Sequence, residues 1–351
     1  MVTISQRQQH LLYLLLQKED LQSSAMHQLL VETGEDSSLI TIKRELSEMV
    51  SQKTVIRIGA GRSAKYRLSP TGRLFCDIDA RAYCSIDPDK RFGHKMYNFE
   101  IVSAIPRNIF TTDELDALTR STAVYDTLSH GLSPTLQKKE LERLIIELAW
   151  KSSKIEGNTY TLLDTEKLIL ENKEAKGHDK NEALMILNHK DAFIFIRENA
   201  TVFTTLTRAN LEKVHAILTK NLGVSGGLRR KPVGVTGSLY RPLDTLHQII
   251  EAVNVLAESV ARADTPYAKA LVVLAGISYI QPFEDGNKRT SRLMANALLL
   301  AYGCAPLSYR SVDEAAYREA VLVFYELNSI VPLKKIFMEQ YDFAARNYAV
   351  K

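Results

Sequence analysis

The stretch Ile280-Gln281-Pro282-Phe283-Glu284-Asp285-Gly286-Asn287-Lys288-Arg289-Thr290-Ser291-Arg292 holds the residues of this 351-residue chain best spaced for chemistry. An apolar run ends just before it and a second begins within it, so a short acidic, glycine-bearing loop leads into the start of a helix. The first amides of a helix have no intrahelical acceptor, and the helix dipole favours negative charge there. Gly286 permits close approach to the backbone, and Arg289 and Arg292, three residues apart, share one helix face. Together these features describe a site for phosphates, with Asp285 placed to hold a Mg²⁺ that bridges them and Phe283 tucked inward to fix the loop. A capped core helix whose arginines pair with neighbouring carboxylates is the plainer reading of the same residues.

The elements that position this loop read as mainly α. At the N-terminus, leucines 11, 12, 15 and 16 predict a helix over 4–17, a second is expected over 23–31, and Ser37 or Ser38 caps a third over 39–51. Two alternating strands, 55–58 and 65–68, follow around Gly59-Ala60-Gly61-Arg62-Ser63. Three helices and a basic hairpin predict a winged helix-turn-helix over 1–72. Its third helix turns Ile42, Leu46 and Met49 inward and Thr41, Lys43 and Arg44 outward, while Arg57, Arg62, Lys65 and Arg67 lie on the wing. This is a layout for the grooves and phosphates of double-stranded DNA. Glu45 and Glu48 share that helix, facing the domain body or tempering the contact, and a solvated charged surface is the alternative.

Residues 73–110, with Pro88, Gly93 and Pro106 and no lasting period, read as a connector. Over 111–351 the periodicity predicts ten helices: 112–128, 134–155, 164–172, 181–199, 208–221, 244–262, 266–280, 287–302, 312–328 and 332–349. Between the fifth and sixth, Gly226-Gly227-Leu228 and then 232–240 alternate and carry glycines in the manner of a β-hairpin. Tyr13, Tyr279 and Tyr302 fall in apolar helical runs and are expected in the core; His215 and His247 are expected as surface or core residues of helices.

Composition narrows the class. Hydrophobic residues make up 45% and charged residues 25%, which excludes wholesale disorder and collagen-like chains. The formal charge of +4 is too mild to demand a nucleic-acid partner by itself. Cys76, Cys84 and Cys304 are widely spaced, with no zinc pattern, and read as reduced thiols. No signal-peptide profile or membrane-spanning run is visible, so a cytoplasmic protein is expected. Gly59-x-Gly61 lacks the third glycine of a dinucleotide site, and no P-loop or H-E-x-x-H helix occurs. Gly223-Val224-Ser225-Gly226-Gly227 follows a helix rather than a strand, so it is no nucleophile elbow.

The loop segment resembles the signature of the Fic (Fido) family, H-x-F-x-[D/E]-G-N-[G/K]-R-x-x-R, at Phe283, Asp285, Gly286, Asn287, Lys288, Arg289 and Arg292. Ser152-Ser153-Lys154-Ile155-Glu156-Gly157 is similar to the family's inhibitory motif [S/T]-x-x-x-E-[G/N], at the end of a helix around 134–157. The segment around Val233, Val235, Gly237 and Tyr240 resembles the flap that holds a target as an added strand. The resemblance covers roughly the last two-thirds of the chain and implies an all-helical Fic domain with a β-hairpin flap. It implies AMP transfer from ATP to a protein hydroxyl, on a protein target that includes the chain itself as a candidate. The loop amides and Asn287 would take the α- and β-phosphates, Asp285 the Mg²⁺, Lys288 would add charge beside them, and Arg289 and Arg292 would take the outer phosphates. Ser152, Glu156 and Gly157 would be inhibitory, Glu156 pairing with Arg292. Relatives that move a phosphate instead carry lysine at the Lys288 position but lack the glycine that Gly286 retains, which keeps nucleotide transfer first.

One position departs from the signature. Where the family has the histidine that takes the hydroxyl proton, this chain has Gln281, whose amide has no useful basicity near neutral pH. Three accounts stand open: a nucleotide-binding pseudoenzyme, a natural or engineered change in an active enzyme, or chemistry that recruits another base. The alternative function is a DNA-binding transcriptional regulator that keeps the Fic domain as a nucleotide-sensing or dimerisation module, with a homodimer left open.

Overall fold

The computed structural model describes residues 4–35 and 37–350. The side chain of Arg62, expected on the wing, lies outside the described residues. The described chain begins with α1 (Gln6–Lys18), β1 (Leu21–Gln22), α2 (Ser23–Glu32), α3 (Leu39–Ser51), β2 (Val55–Ile58) and β3 (Lys65–Leu68). Short helices α4 (Pro70–Leu74), α5 (Ala80–Cys84) and α6 (Phe99–Ala104) follow. The remainder holds α7 (Thr112–Ser129), α8 (Pro134–Ile155), α9 (Leu162–Glu171), α10 (Lys180–Glu198), α11 (Arg208–Leu218), α12 (Leu246–Arg262), α13 (Pro266–Ile280), α14 (Asn287–Ala301), α15 (Glu314–Leu327) and α16 (Val331–Asn347).

Local chemistry accounts for these boundaries. Ser5 and Gln8 form a reciprocal capping box at α1, and Ser38 Oγ accepts from the Thr41 amide at 3.2 Å to open α3. The strands form an antiparallel sheet in the order β1-β3-β2, with Ile56 opposite Arg67 and Ile58 opposite Lys65. Three helices, a short first strand and a terminal hairpin thus follow one another at the N-terminus. Leu11, Leu15, Ile42, Leu46 and Met49 fill its core, joined by Cys76 and Tyr83 from the segment that follows and by Val323 and Leu327 of α15. That segment, read as a connector, therefore packs, and it carries the short helices α4 to α6.

The ten helices expected beyond residue 111 are all present as α7 to α16. At their centre α13 is apolar on every side, with Tyr267, Leu271, Leu274, Ile277 and Ile280 all buried. A Cβ added at Gly276 would come within 2.3 Å of Leu256, so glycine sets how closely α13 approaches α12. Tyr279 is in this core as expected. Tyr13 and Tyr302 are not: they are 38% and 42% exposed, Tyr13 edge-on to Phe92 and Tyr302 donating to the Thr204 carbonyl.

The expected flap differs in detail. Residues 233–242 reverse at a turn over Thr236 and Gly237, which the Ser238 amide closes onto the Val235 carbonyl, and the two arms carry no strand ladder. Pro232 precedes the segment and Pro242 ends it, and neither has an amide hydrogen to donate. The Arg241 amide pairs instead with the Lys95 carbonyl at 2.8 Å, and Ser238 and Tyr240 are drawn down toward the core.

Candidate functional site

Two left-handed residues bracket the loop between α13 and α14. Gln281 ends α13 at φ 50°, and Gly286 opens α14 at φ 78°. Asn287 clamps the loop from both sides: its Oδ1 accepts from the Phe283 amide at 2.9 Å, and its Nδ2 donates to the Phe283 carbonyl at 2.8 Å. The Phe283 side chain is fully buried, its ring stacked on His215 at 3.6 Å between centroids and 4° between planes. His215 Nε2 sits 3.0 Å from the Asp285 carbonyl. Burial, then the charge of Arg289, pushes the His215 pKa down against the opposing pull of that carbonyl. The ring is therefore neutral at pH 7, and since a carbonyl can only accept, Nε2 carries the hydrogen.

Expected as a core or surface residue, His215 thus supports the loop from beneath. No spacing signal could have found it, because α11 lies about 70 residues upstream. Gln281 is nearly buried, its Nε2 donating to the Ser278 carbonyl at 2.6 Å and lying 3.3 Å from the Tyr325 hydroxyl. His247 lies on α12 and is exposed, a surface residue as expected.

Arg292 is wholly buried and needs compensation. Its Nε donates to Ser152 Oγ at 2.9 Å, one terminal nitrogen donates to the Ser152 carbonyl at 2.8 Å, and the other lies 2.9 Å from Glu156 Oε1. That last contact is an ion pair outside hydrogen-bond geometry, since both atoms lack a hydrogen-bond partner. Lys288 Nζ approaches the other Glu156 oxygen at 3.5 Å. Burial raises the Glu156 pKa, but the charges of Arg292 and then Lys288 outweigh it and hold the carboxyl below its ordinary value. Gly157 takes φ 99° and turns the chain away at the end of α8. Arg289 is buried, one nitrogen 3.3 Å from Asp285 and the other without a partner.

A cavity of about 250 Å³ lies over the loop, walled by Glu156, residues 233–236, Gln281 and residues 284–289. A second, of about 340 Å³, shares Glu156, Thr236 and Lys288 and adds Tyr317, Val321 and Tyr325. Glu156 stands between them. Of the expected flap residues, Val233 and Val235 line the first cavity and Gly237 is at the turn, but Tyr240 is buried. Its hydroxyl donates to the Tyr279 carbonyl, and its ring stacks on Tyr279 at 5.0 Å, so it anchors the flap and does not face a ligand.

Arg229 is a second anchor. Buried, it donates to the carbonyls of Gln281, Lys231 and Leu243 at 2.6, 2.8 and 2.5 Å, tying the loop to both ends of the flap.

In the N-terminal unit, Lys43, Arg44, Arg57 and Lys65 are exposed and Thr41 is half-buried. Glu45 turns toward the domain body and accepts from Gln8 at 2.9 Å, while Glu48 remains on the outer face. Arg67 is occupied by Asp20, at 2.6 and 2.7 Å.

A helical body built around two central helices joined by a short, glycine-bearing loop of this kind is a Fic fold. Residues 205–299 match the family model described as Fic/DOC family. Among solved structures, Fic-1 from C. elegans aligns at TM-score 0.58 with 18% identity, covering 67% of this chain and 72% of that one. A Fic domain containing signaling protein from Bacteroides thetaiotaomicron aligns at 0.55 with 20% identity, covering 67% and 98%. By sequence, the chain is 29% identical over 209 residues to a protein adenylyltransferase Fic of Culex quinquefasciatus, covering 57% of this chain and 41% of the relative. It is 26% identical over 188 residues to one of Nematostella vectensis, covering 52% and 44%. The matches thus span less than half the length of these curated relatives.

Proposed function

We propose that the chain is a protein adenylyltransferase scaffold of the Fic type, taking ATP with Mg²⁺ and directing AMP to a protein hydroxyl held at the flap, with Glu156 as its inhibitor. The observation that carries this is Glu156 lying across Arg292 and Lys288 at the phosphate end of α14. A carboxylate there occupies cations that an outer phosphate needs and repels the phosphate itself. The unpartnered nitrogen of Arg289 and the loop amides fit a polyphosphate, and the neighbouring cavity with Tyr317 and Tyr325 fits a base. Asp285, 69% exposed at its side chain, offers one oxygen to Mg²⁺, which takes its other ligands from phosphates and water.

Gln281 stands at the position of the proton acceptor, so transfer by this chain is weak or absent, lower by about 10²- to 10⁴-fold than with a histidine there. The domain runs over 111–351, behind a winged helix at 1–72 and a packed connector at 73–110. Label transfer from α-labelled ATP with Mg²⁺ tests this, comparing Glu156→Gly with Glu156→Gly/Gln281→His. Label from the double variant is the expected result; silence from both, with folded protein, would sink the assignment.

A second reading, a DNA-binding regulator that uses the Fic body as a sensor, is favoured by the exposed basic face of α3 and the wing. Its check is anisotropy with duplex DNA at several salt concentrations. Lys43→Ala and Arg44→Ala should each lower the salt slope by about 1.

A further inference from the structure

A cavity of about 630 Å³, separate from those beside the loop, lies where the wing meets the rest of the molecule. One wall comes from β3 and α4, including Arg67 and Arg73, and the other from residues 93–100. Its size falls in the range of small-molecule sites. The basic groups around it are unequally satisfied. Asp20 holds Arg67 through both carboxylate oxygens. Arg73 has no such partner: among the described residues its guanidinium makes no hydrogen bond and no ion pair. Burial depresses its pKa, opposed by the more distant charge of Glu19.

Beside it, the His94 amide is fixed to the Glu326 carbonyl at 2.7 Å, yet the His94 ring Nε2 is buried without a partner. Lys95 is exposed and has no ion pair among the described residues. The rim carries the exposed apolar side chains of Met96, at 68%, and Phe99, at 55%, with the exposed carboxylate of Glu100 beside them. A desolvated cation without a counter-ion is costly, and a guanidinium beside an ammonium and an imidazole is suited to a phosphate.

We propose that this cavity binds a small phosphorylated ligand with a planar or apolar body, its anionic group taken by Arg73, His94 and Lys95 and its body laid against Met96 and Phe99. A duplex backbone is the less suitable occupant, because the cavity is concave and its wing-side arginine, Arg67, is already held by Asp20. The wall formed by residues 93–100 is bonded to the flap, through the Arg241 amide on the Lys95 carbonyl. An occupant therefore sits between the wing and the flap base.

The test follows the imidazole signals of the full-length, histidine-labelled chain by NMR at fixed pH, with AMP, inorganic phosphate or duplex DNA added. A His94→Gln variant assigns one ring, and His215 reports separately on the loop site. The expected result is a saturable shift of His94 with AMP or phosphate, weakened about tenfold or more by Arg73→Met and by Lys95→Met, with the response of His215 unaltered. Lys95 is exposed and unpaired, so its replacement leaves the fold intact. A His94 signal that stays still, or that moves equally in both variants, overturns the proposal. So does a shift seen with duplex DNA alone, which would make the cavity part of a nucleic-acid surface.

Discussion

Glu156 is a carboxylate whose ionised state depends on two neighbouring cations, and this makes its pairing with Arg292 and Lys288 sensitive to acid in a defined direction. Its folded pKa is depressed below the ordinary 4.5, burial being outweighed by Arg292 and Lys288. A depressed pKa means the pairing contributes fully above the unfolded value and is lost as pH falls through the folded one. Removing the charge leaves the guanidinium of Arg292 with Ser152 and the face of Tyr317, 5.5 Å away, but without a counter-ion. Glu156→Gln is expected to lower stability by about 2–3 kcal/mol at pH 7. Urea titrations of both proteins between pH 7 and pH 3 check this: the gap should hold down to about pH 4.5 and shrink below it. A gap that widened in acid would mean Glu156 is held neutral, and its contact with Arg292 would need another explanation.

The flap is an element without a ladder of its own, so its position depends on side chains from elsewhere. Glu326, near the end of α15, accepts from Ser238 Oγ at 2.5 Å and Tyr83 at 2.7 Å, and pairs with Arg91 at 3.3 Å. Arg91 also donates to the Gly237 carbonyl at 3.1 Å. Burial, then the bond to Glu326, pushes the Tyr83 phenol well above its usual pKa, so it remains a donor. Glu326→Gln removes the charge and one acceptor at nearly constant shape. Amide exchange over residues 234–241 should then accelerate about tenfold, while the exchange of α13 stays slow. Unchanged exchange in the flap would show that Arg229 and Tyr240 suffice to hold it.

The same contacts explain what sequence could and could not reveal. Helices such as Pro134–Ile155 and Pro266–Ile280 were legible to the residue, because a serine or threonine cap, a proline at the first turn and an apolar period all agree. The wing strands were legible for a similar reason. The flap was misread as a hairpin, because alternation describes which residues suit a strand and says nothing of partners at Lys95, Glu326 or Arg229. The loop residues were legible as a cluster, whereas His215 beneath them was not, since only the packing of α11 brings it there.

At the scale of the whole molecule, the N-terminal unit and the helical body share a core. Cys76 and Tyr83 join Leu11, Leu46 and Met49 on one side and Val323 and Leu327 on the other. The Ser329 hydroxyl donates to the Cys76 carbonyl at 2.5 Å, and the Ile330 amide to that of Leu74 at 3.0 Å. Units joined through buried apolar surface and paired backbone unfold together, unlike domains on a loose linker. Two native reporters test this. Trp150, the single tryptophan, reports on α8, and Cys76, fully buried with its thiol pushed up to about 12 by burial, reports on the shared core. In a Cys84→Ser/Cys304→Ala background, the urea midpoint from Trp150 fluorescence should coincide with that from Cys76 labelling under conditions of rapid reclosing. If Cys76 reacts at distinctly lower urea, the N-terminal unit opens on its own; anything bound against β3 would then have no packed path through α15 to Glu326 and residues 233–242.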